Sequence, residues 1–113
     1  MKRLGGLVAL LLGSPAFGQS AISADELRST IAGRSVTYSS SDGVDGVARF
    51  GVDGRFDYRS QRNETFRGFY SIHGGRVCIT LVDRSSHCDD FYRDGDRLMM
   101  RSRTGRMFIA TVQ

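Results

Sequence analysis

Two periodicities divide this chain. From Ile22 to Gly33 apolar residues recur at helical spacing. Beyond Gly33 they alternate with polar ones, as on strands that bury one face. Ser23 stands where an N-cap belongs, with Glu26 three residues on, so the pair reads as a capping box. Ile22 and Leu27 flank it as a hydrophobic staple. Asp25 and Glu26 fall in the first turn, where the helix dipole favours acidic groups. Leu27 and Ile31 share a face, and Gly33 ends the element as a C-terminal cap. The expectation is one short N-terminal helix, laid as a plug or lid against a larger body.

The twofold pattern that follows predicts strands over Ser35–Ser40, Val47–Val52, Arg55–Ser60, Thr65–Ile72, Arg76–Val82, His87–Arg93, Arg97–Ser102 and Arg106–Val112. Turn signals separate them: Asp42-Gly43, Asp45-Gly46, Asp53-Gly54, His73-Gly74-Gly75, Asp83 to Ser86, Asp94-Gly95-Asp96 and Thr104-Gly105. Eight short strands joined mostly by tight turns describe a mainly β fold. It is either a small antiparallel up-and-down β-barrel or a strongly curved meander, and closure into a barrel would remove unpaired edges. The alternation assigns an interior: Val36, Tyr38, Phe56, Tyr58, Phe66, Tyr70, Ile72, Val77, Ile79, Leu81, Phe91, Leu98, Met100, Phe108, Ala110 and Val112. Arg55, Asp57 and Arg59 then face water.

The first residues change what this domain is expected to be. Met1-Lys2-Arg3 is a basic start, and Leu4–Gly13 is an uncharged apolar run. That run is too short for a hydrocarbon core, which takes about twenty residues. Ser14-Pro15 breaks it, and Ala16-Phe17-Gly18 offers small residues where a signal peptidase inspects them. Residues 1–18 are therefore expected to be a secretory signal, with the mature chain, 19–113, forming a single domain in the periplasm or outside the cell. No Cys follows the apolar run as in a lipoprotein, and no second long apolar run offers membrane insertion after cleavage.

Removal of that leader alters the charge. Lys2 is the only lysine, and the mature chain keeps 14 arginines against 12 acidic residues. These charges are interleaved, as in Asp89-Asp90-Phe91-Tyr92-Arg93-Asp94-Gly95-Asp96-Arg97. Nucleic-acid binding rests on a one-signed patch that displaces counterions, and none is visible. Without lysine there is no Schiff-base chemistry either.

Cys78 and Cys88 are the only cysteines, and in an exported chain their pairing is the default. A hairpin turning about Asp83 sets them directly opposite each other, near the separation a disulfide needs. Closing so short a loop stabilises by roughly 2.5–3 kcal/mol on the chain-entropy model. The same register sends Val77, Ile79, Leu81 and Phe91 to the other face, so the crosslink belongs on the side away from the core.

His87-Cys88-Asp89-Asp90 is the densest group of chemical side chains. A Cys–His nucleophile would need Cys88 free. His87 and Asp89 share a strand face and could ligate a metal together, but a metal site takes three or four ligands, and His73 is the only other histidine. No metal and no cofactor is expected. His87 is read as a residue at a sheet end, and Asp89 and Asp90 as a solvated acidic pair. Asp42, Asp45 and Asp53, or Asp94 and Asp96, lack the EF-hand spacing for calcium. No Gly-x-Ser-x-Gly turn is present, and twelve acidic residues make any glycosidase-like carboxylate pair unspecific. No residue is assigned a catalytic role.

In outline the chain resembles a loose set of small secreted or periplasmic alphaproteobacterial proteins. The resemblance rests on Leu27…Ile31-Ala32-Gly33-Arg34, Phe50-Gly51-Val52-Asp53-Gly54-Arg55, Arg67-Gly68-Phe69-Tyr70-Ser71-Ile72, Gly75-Arg76-Val77-Cys78, and Cys88 followed by Tyr92-Arg93-Asp94-Gly95-Asp96-Arg97-Leu98. It departs at Phe69 and Asp89, where Trp is common in that set. The resemblance implies a barrel of lipocalin-like appearance with one disulfide, and no known activity. The leading expectation is a monomeric, non-enzymatic binding or interaction module, with a small ligand at the barrel mouth or an unknown protein partner on its outer face. Two alternatives are a periplasmic hydrolase working near His87 and Asp89 at the mouth, and an inhibitor of a protease or lysozyme.

Overall fold

The computed structural model describes residues 19–113; the expected leader, 1–18, lies outside the described residues. The order is β1 (Gln19–Ala21), α1 (Ala24–Ile31), β2 (Arg34–Ser40), β3 (Gly43–Phe50), β4 (Arg55–Ser60), β5 (Thr65–His73), β6 (Arg76–Leu81), β7 (Ser86–Asp94), β8 (Arg97–Arg101) and β9 (Met107–Val112). From β2 to β9 every strand pairs antiparallel with the next. β9 then returns to β2, with Val36 opposite Val112 and Tyr38 opposite Ala110. The sheet is therefore a closed eight-stranded barrel, which decides between the two forms the alternation allowed.

Seven of the eight expected strands lie within about two residues of their expected bounds, the usual uncertainty of strand ends. The exception is β3. Asp45-Gly46 is not a turn: the chain turns at Ser41 and Asp42, and β3 begins at Gly43. β1 is an element that the alternation did not predict, because three residues carry no period. It exists because β7 outruns β6, whose last pair is Arg76 with Asp90. Backbone groups beyond that point need partners. Phe91 N donates to Gly75 O at 2.7 Å, and β1 then pairs with Tyr92, Arg93 and Asp94.

The helix starts as its sequence requires. Ser23 Oγ accepts from Glu26 N at 3.1 Å. The reciprocal half of the capping box is replaced: the Glu26 carboxylate reaches Arg93 of β7, Nε to Oε2 3.3 Å. Ala32 is the C-cap, and Gly33 follows at φ 77°, a left-handed conformation that glycine adopts without a Cβ clash. Its N–H donates to Phe50 O at 2.6 Å, which ties the helix exit to the end of β3.

Ile22, Leu27 and Ile31 are buried and belong to the barrel core, with α1 packed on β2 and β5. The ends of β3, β5, β7 and β9 and the starts of β2, β4, β6 and β8 gather at this end, so the helix seals it. Phe50 stacks there, 5.1 Å edge-on to Tyr70 and 5.4 Å from Phe56, while Tyr70 Oη donates to Gly51 O. The expected interior holds, with one correction. Phe66 lies at the opposite end of β5 from the helix and is exposed, because no element covers that end.

Cys78 and Cys88 are paired across β6 and β7, directly opposed, with Cα atoms 4.0 Å apart. They lie on the outer face, behind the buried Val77 and Ile79. Such a bond is the chemistry of a non-reducing compartment.

Two stability measurements follow. Leu27→Ala should lower the unfolding free energy by about 2–5 kcal/mol, because the barrel end cannot collapse onto the space left. Replacing both cysteines by serine should lower it by about 2–3 kcal/mol with the barrel retained. Guanidinium unfolding followed by circular dichroism checks both; a change below about 1 kcal/mol in the first would mean the helix is not a structural seal.

Candidate functional site

The end opposite α1 is open. A cavity of about 390 Å³ enters the barrel there, lined by Tyr38, Asp45, Phe56, Tyr58, Phe66, Ile79, Leu81, His87, Asp89, Met100, Ser102, Thr104, Arg106 and Phe108. An eight-stranded barrel has room for its own side chains or for one small ligand, and here a short stretch of the interior is left unfilled.

Alternation along β7 explains the polar groups inside. Val77 faces the core and is paired with Asp89, while Phe91, two residues on, is also buried. His87, Asp89 and Phe91 therefore share the inner face, and Cys88 and Asp90 the outer one. This corrects the expectation of a solvated acidic pair. Asp89 is only 7% exposed, whereas Asp90 is on the outside and pairs with Arg76 at 2.9 Å. His87 is half-buried at the rim, its Nε2 3.4 Å from Asp89 Oδ2.

A second polar pair is built by a bulge. Tyr38 is paired with Gly46, but the next residue, Ser39, is paired with Val44, so Asp45 is an extra residue in β3. Bulges re-aim side chains, and this one brings Asp45 to the cavity, where its carboxylate accepts from Tyr58 Oη. Gly46 makes that contact possible: a Cβ there would overlap the Tyr58 phenol and the Arg59 carbonyl. The reading of Asp45-Gly46 as a turn hid both residues.

Tyr38 belongs to both the core and the cavity wall. Its ring lies 6.2 Å from Tyr58, 6.3 Å from Phe108 and 6.4 Å from Phe91. Burial pushes the Tyr38 hydroxyl well above the usual phenol range, and the neighbouring Asp89 adds to the effect. Tyr58 is raised by burial and by its bond to Asp45. Both phenols remain neutral donors at physiological pH. For His87 the bond to Asp89 raises the pKa, against burial and Arg103, which lower it. At the rim Arg106 lies 5.1 Å over the Phe108 ring and pairs with Asp42 at 3.3 Å, while Ser102 and Thr104 are hydrogen-bonded to each other at 2.9 Å.

His87 and Asp89, the weak metal candidates, do stand together. His73 is at the sealed end, bonded to Ser71, so topology separates the two histidines. Among the described residues no three His, Cys, Asp or Glu side chains gather as a metal site, and no helix is long and apolar enough to cross a membrane. The cavity can hold a polar group against Asp89 and His87 and an apolar body against the rings. Sequence reasoning missed the inward aim of Asp89, although the hairpin register that pairs the cysteines already implies it.

Asp89→Asn should bring the His87 pKa back toward its ordinary value, followed by the ring-proton shifts of His87 in an NMR titration. In the parent protein a raised His87 pKa adds stability that is complete below the unfolded value of about 6.5 and is lost as pH rises through the folded value. The pH dependence of the unfolding midpoint should flatten in the variant; a parallel curve would mean that the pair contributes nothing.

No protein-family model, no curated protein and no solved structure matches this chain.

Proposed function

We propose that this protein is an exported small-ligand-binding barrel of the periplasm or extracellular space, acting by holding its ligand rather than transforming it. The observation that carries this reading is the open-ended cavity of about 390 Å³, aromatic in its walls and polar only at a few set points. Small-molecule sites commonly enclose about 300–1,000 Å³, with apolar walls and few convergent polar groups. The sealed helix end leaves the mouth as the way in. The disulfide and the basic-apolar-small pattern of residues 1–18 support export.

A second reading has one observation in its favour. His87 with Asp89 behind it is the base-and-orienter half of a hydrolytic site, and Ser102 and Thr104 line the same mouth. Those hydroxyls are bonded to each other, so a nucleophile would have to leave that bond.

Native mass spectrometry of protein recovered from the periplasm of its host tests the first reading. A mature mass starting at Gln19, two hydrogens lighter for the disulfide, should carry extra mass that leaves on denaturation. Leu81→Trp, which narrows the mouth, should reduce that retained mass. A bare chain that also turns over small esters in a His87-dependent way would overturn ligand holding in favour of hydrolysis.

A further inference from the structure

The chemistry of the cavity narrows the ligand, on the reading that the barrel binds one. Its one buried charged side chain among the described residues is Asp89, about nine-tenths buried in the cavity that Tyr38, Ile79, Met100 and Phe108 also line. A carboxylate that stays ionised out of water needs a cation beside it. Among the described residues its one ion-pair partner is His87, which carries no charge when its ring is neutral. No arginine comes within ion-pair distance of Asp89 among the described residues, and Arg106 is held by Asp42. An anionic ligand would be repelled by the group it met at depth. The same cavity presents aromatic rings from four strands, Tyr38, Phe56 and Tyr58, Phe66, and Phe108. Ring faces attract cations most strongly where water is excluded.

We propose that the mouth cavity takes a small organic cation, with its ammonium on Asp89 and its apolar body against the aromatic wall. The ammonium replaces the His87 proton as the partner of Asp89, so ligand and proton compete. The charged and titratable groups of the cavity wall set that competition, Asp89 beside His87 on β7, Arg106 in the β8–β9 connection, Tyr38 on β2 and the Asp45–Tyr58 pair on β3 and β4, while Arg103 opposes protonation of the imidazole. Acid favours the imidazolium and releases the cation.

Calorimetric titration of the exported protein with three probes of one shape tests this: 2-phenylethylammonium, the neutral 2-phenylethanol and the anionic 3-phenylpropanoate. The ammonium should bind at least about thirtyfold tighter than the alcohol, the scale of a desolvated charge pair, and the carboxylate should not bind. Asp89→Asn should remove most of the ammonium's advantage over the alcohol, and an unchanged circular-dichroism spectrum shows that the variant is folded. Lowering the pH from about 8 to about 6 should weaken ammonium binding, and His87→Gln should abolish that dependence. Equal affinity for ammonium and alcohol, unaffected by Asp89→Asn, would overturn the cation assignment and leave ligand binding standing. Failure of all three probes, in a protein that retains no mass from its host, would overturn ligand binding itself.

Discussion

When Val36 pairs with Val112 and Tyr38 with Ala110, the eight strands from β2 to β9 close on themselves, and β1 is left as a short added strand on β7. That closure turns a meander into a container. Apart from the bulge at Asp45, each strand must then alternate, since every second side chain enters a narrow interior, and a slip of one residue would exchange core for surface. Eight strands leave an interior just wide enough for their own side chains or for one small ligand. Whether such an interior is solid or hollow depends on how its two ends are treated.

They are treated differently. At one end, Ile22, Leu27 and Ile31 come from outside the barrel to fill it, and Phe50, Phe56 and Tyr70 pack beneath them. Gly33 lets the chain turn from helix into β2 without leaving this end, and β1 uses the backbone of β7 that β6 leaves unpaired. At the other end the hairpin turns cover nothing. Phe66 is exposed there, and the polar groups that enter, Asp45, Tyr58, His87 and Asp89, are held in pairs across neighbouring positions. The asymmetry gives the molecule one closed base and one mouth.

Most of this architecture is legible in the residues, because alternation and Asp-Gly or Gly-Gly turns are local signals. The capping box, the helix face and the cross-strand cysteines are local too. The departures occur where a distant element changed a local choice. Glu26 abandons the capping box for Arg93, some sixty-seven residues away. Asp45-Gly46 has the composition of a turn, yet Tyr58 on the next strand needs Gly46 to be bare and Asp45 to be turned inward. Asp89 was legible in principle: the register that opposes Cys78 to Cys88 also opposes Asp89 to Val77. The habit of placing carboxylates in water obscured it. The resemblance to small exported proteins named a shape and an address, and the cavity chemistry was outside its reach.

The strands that close the barrel lie at opposite ends of the chain. β2 begins at Arg34 and its partner β9 ends at Val112. Synthesis runs from the N-terminus, so β2 through β8 are made before β9, without which the barrel cannot close. Nearest-neighbour hairpins can form early, but the seam joins segments far apart in sequence, the kind of contact that slows folding. The seam between β2 and β9 is therefore the last of the barrel's strand pairings that synthesis makes available.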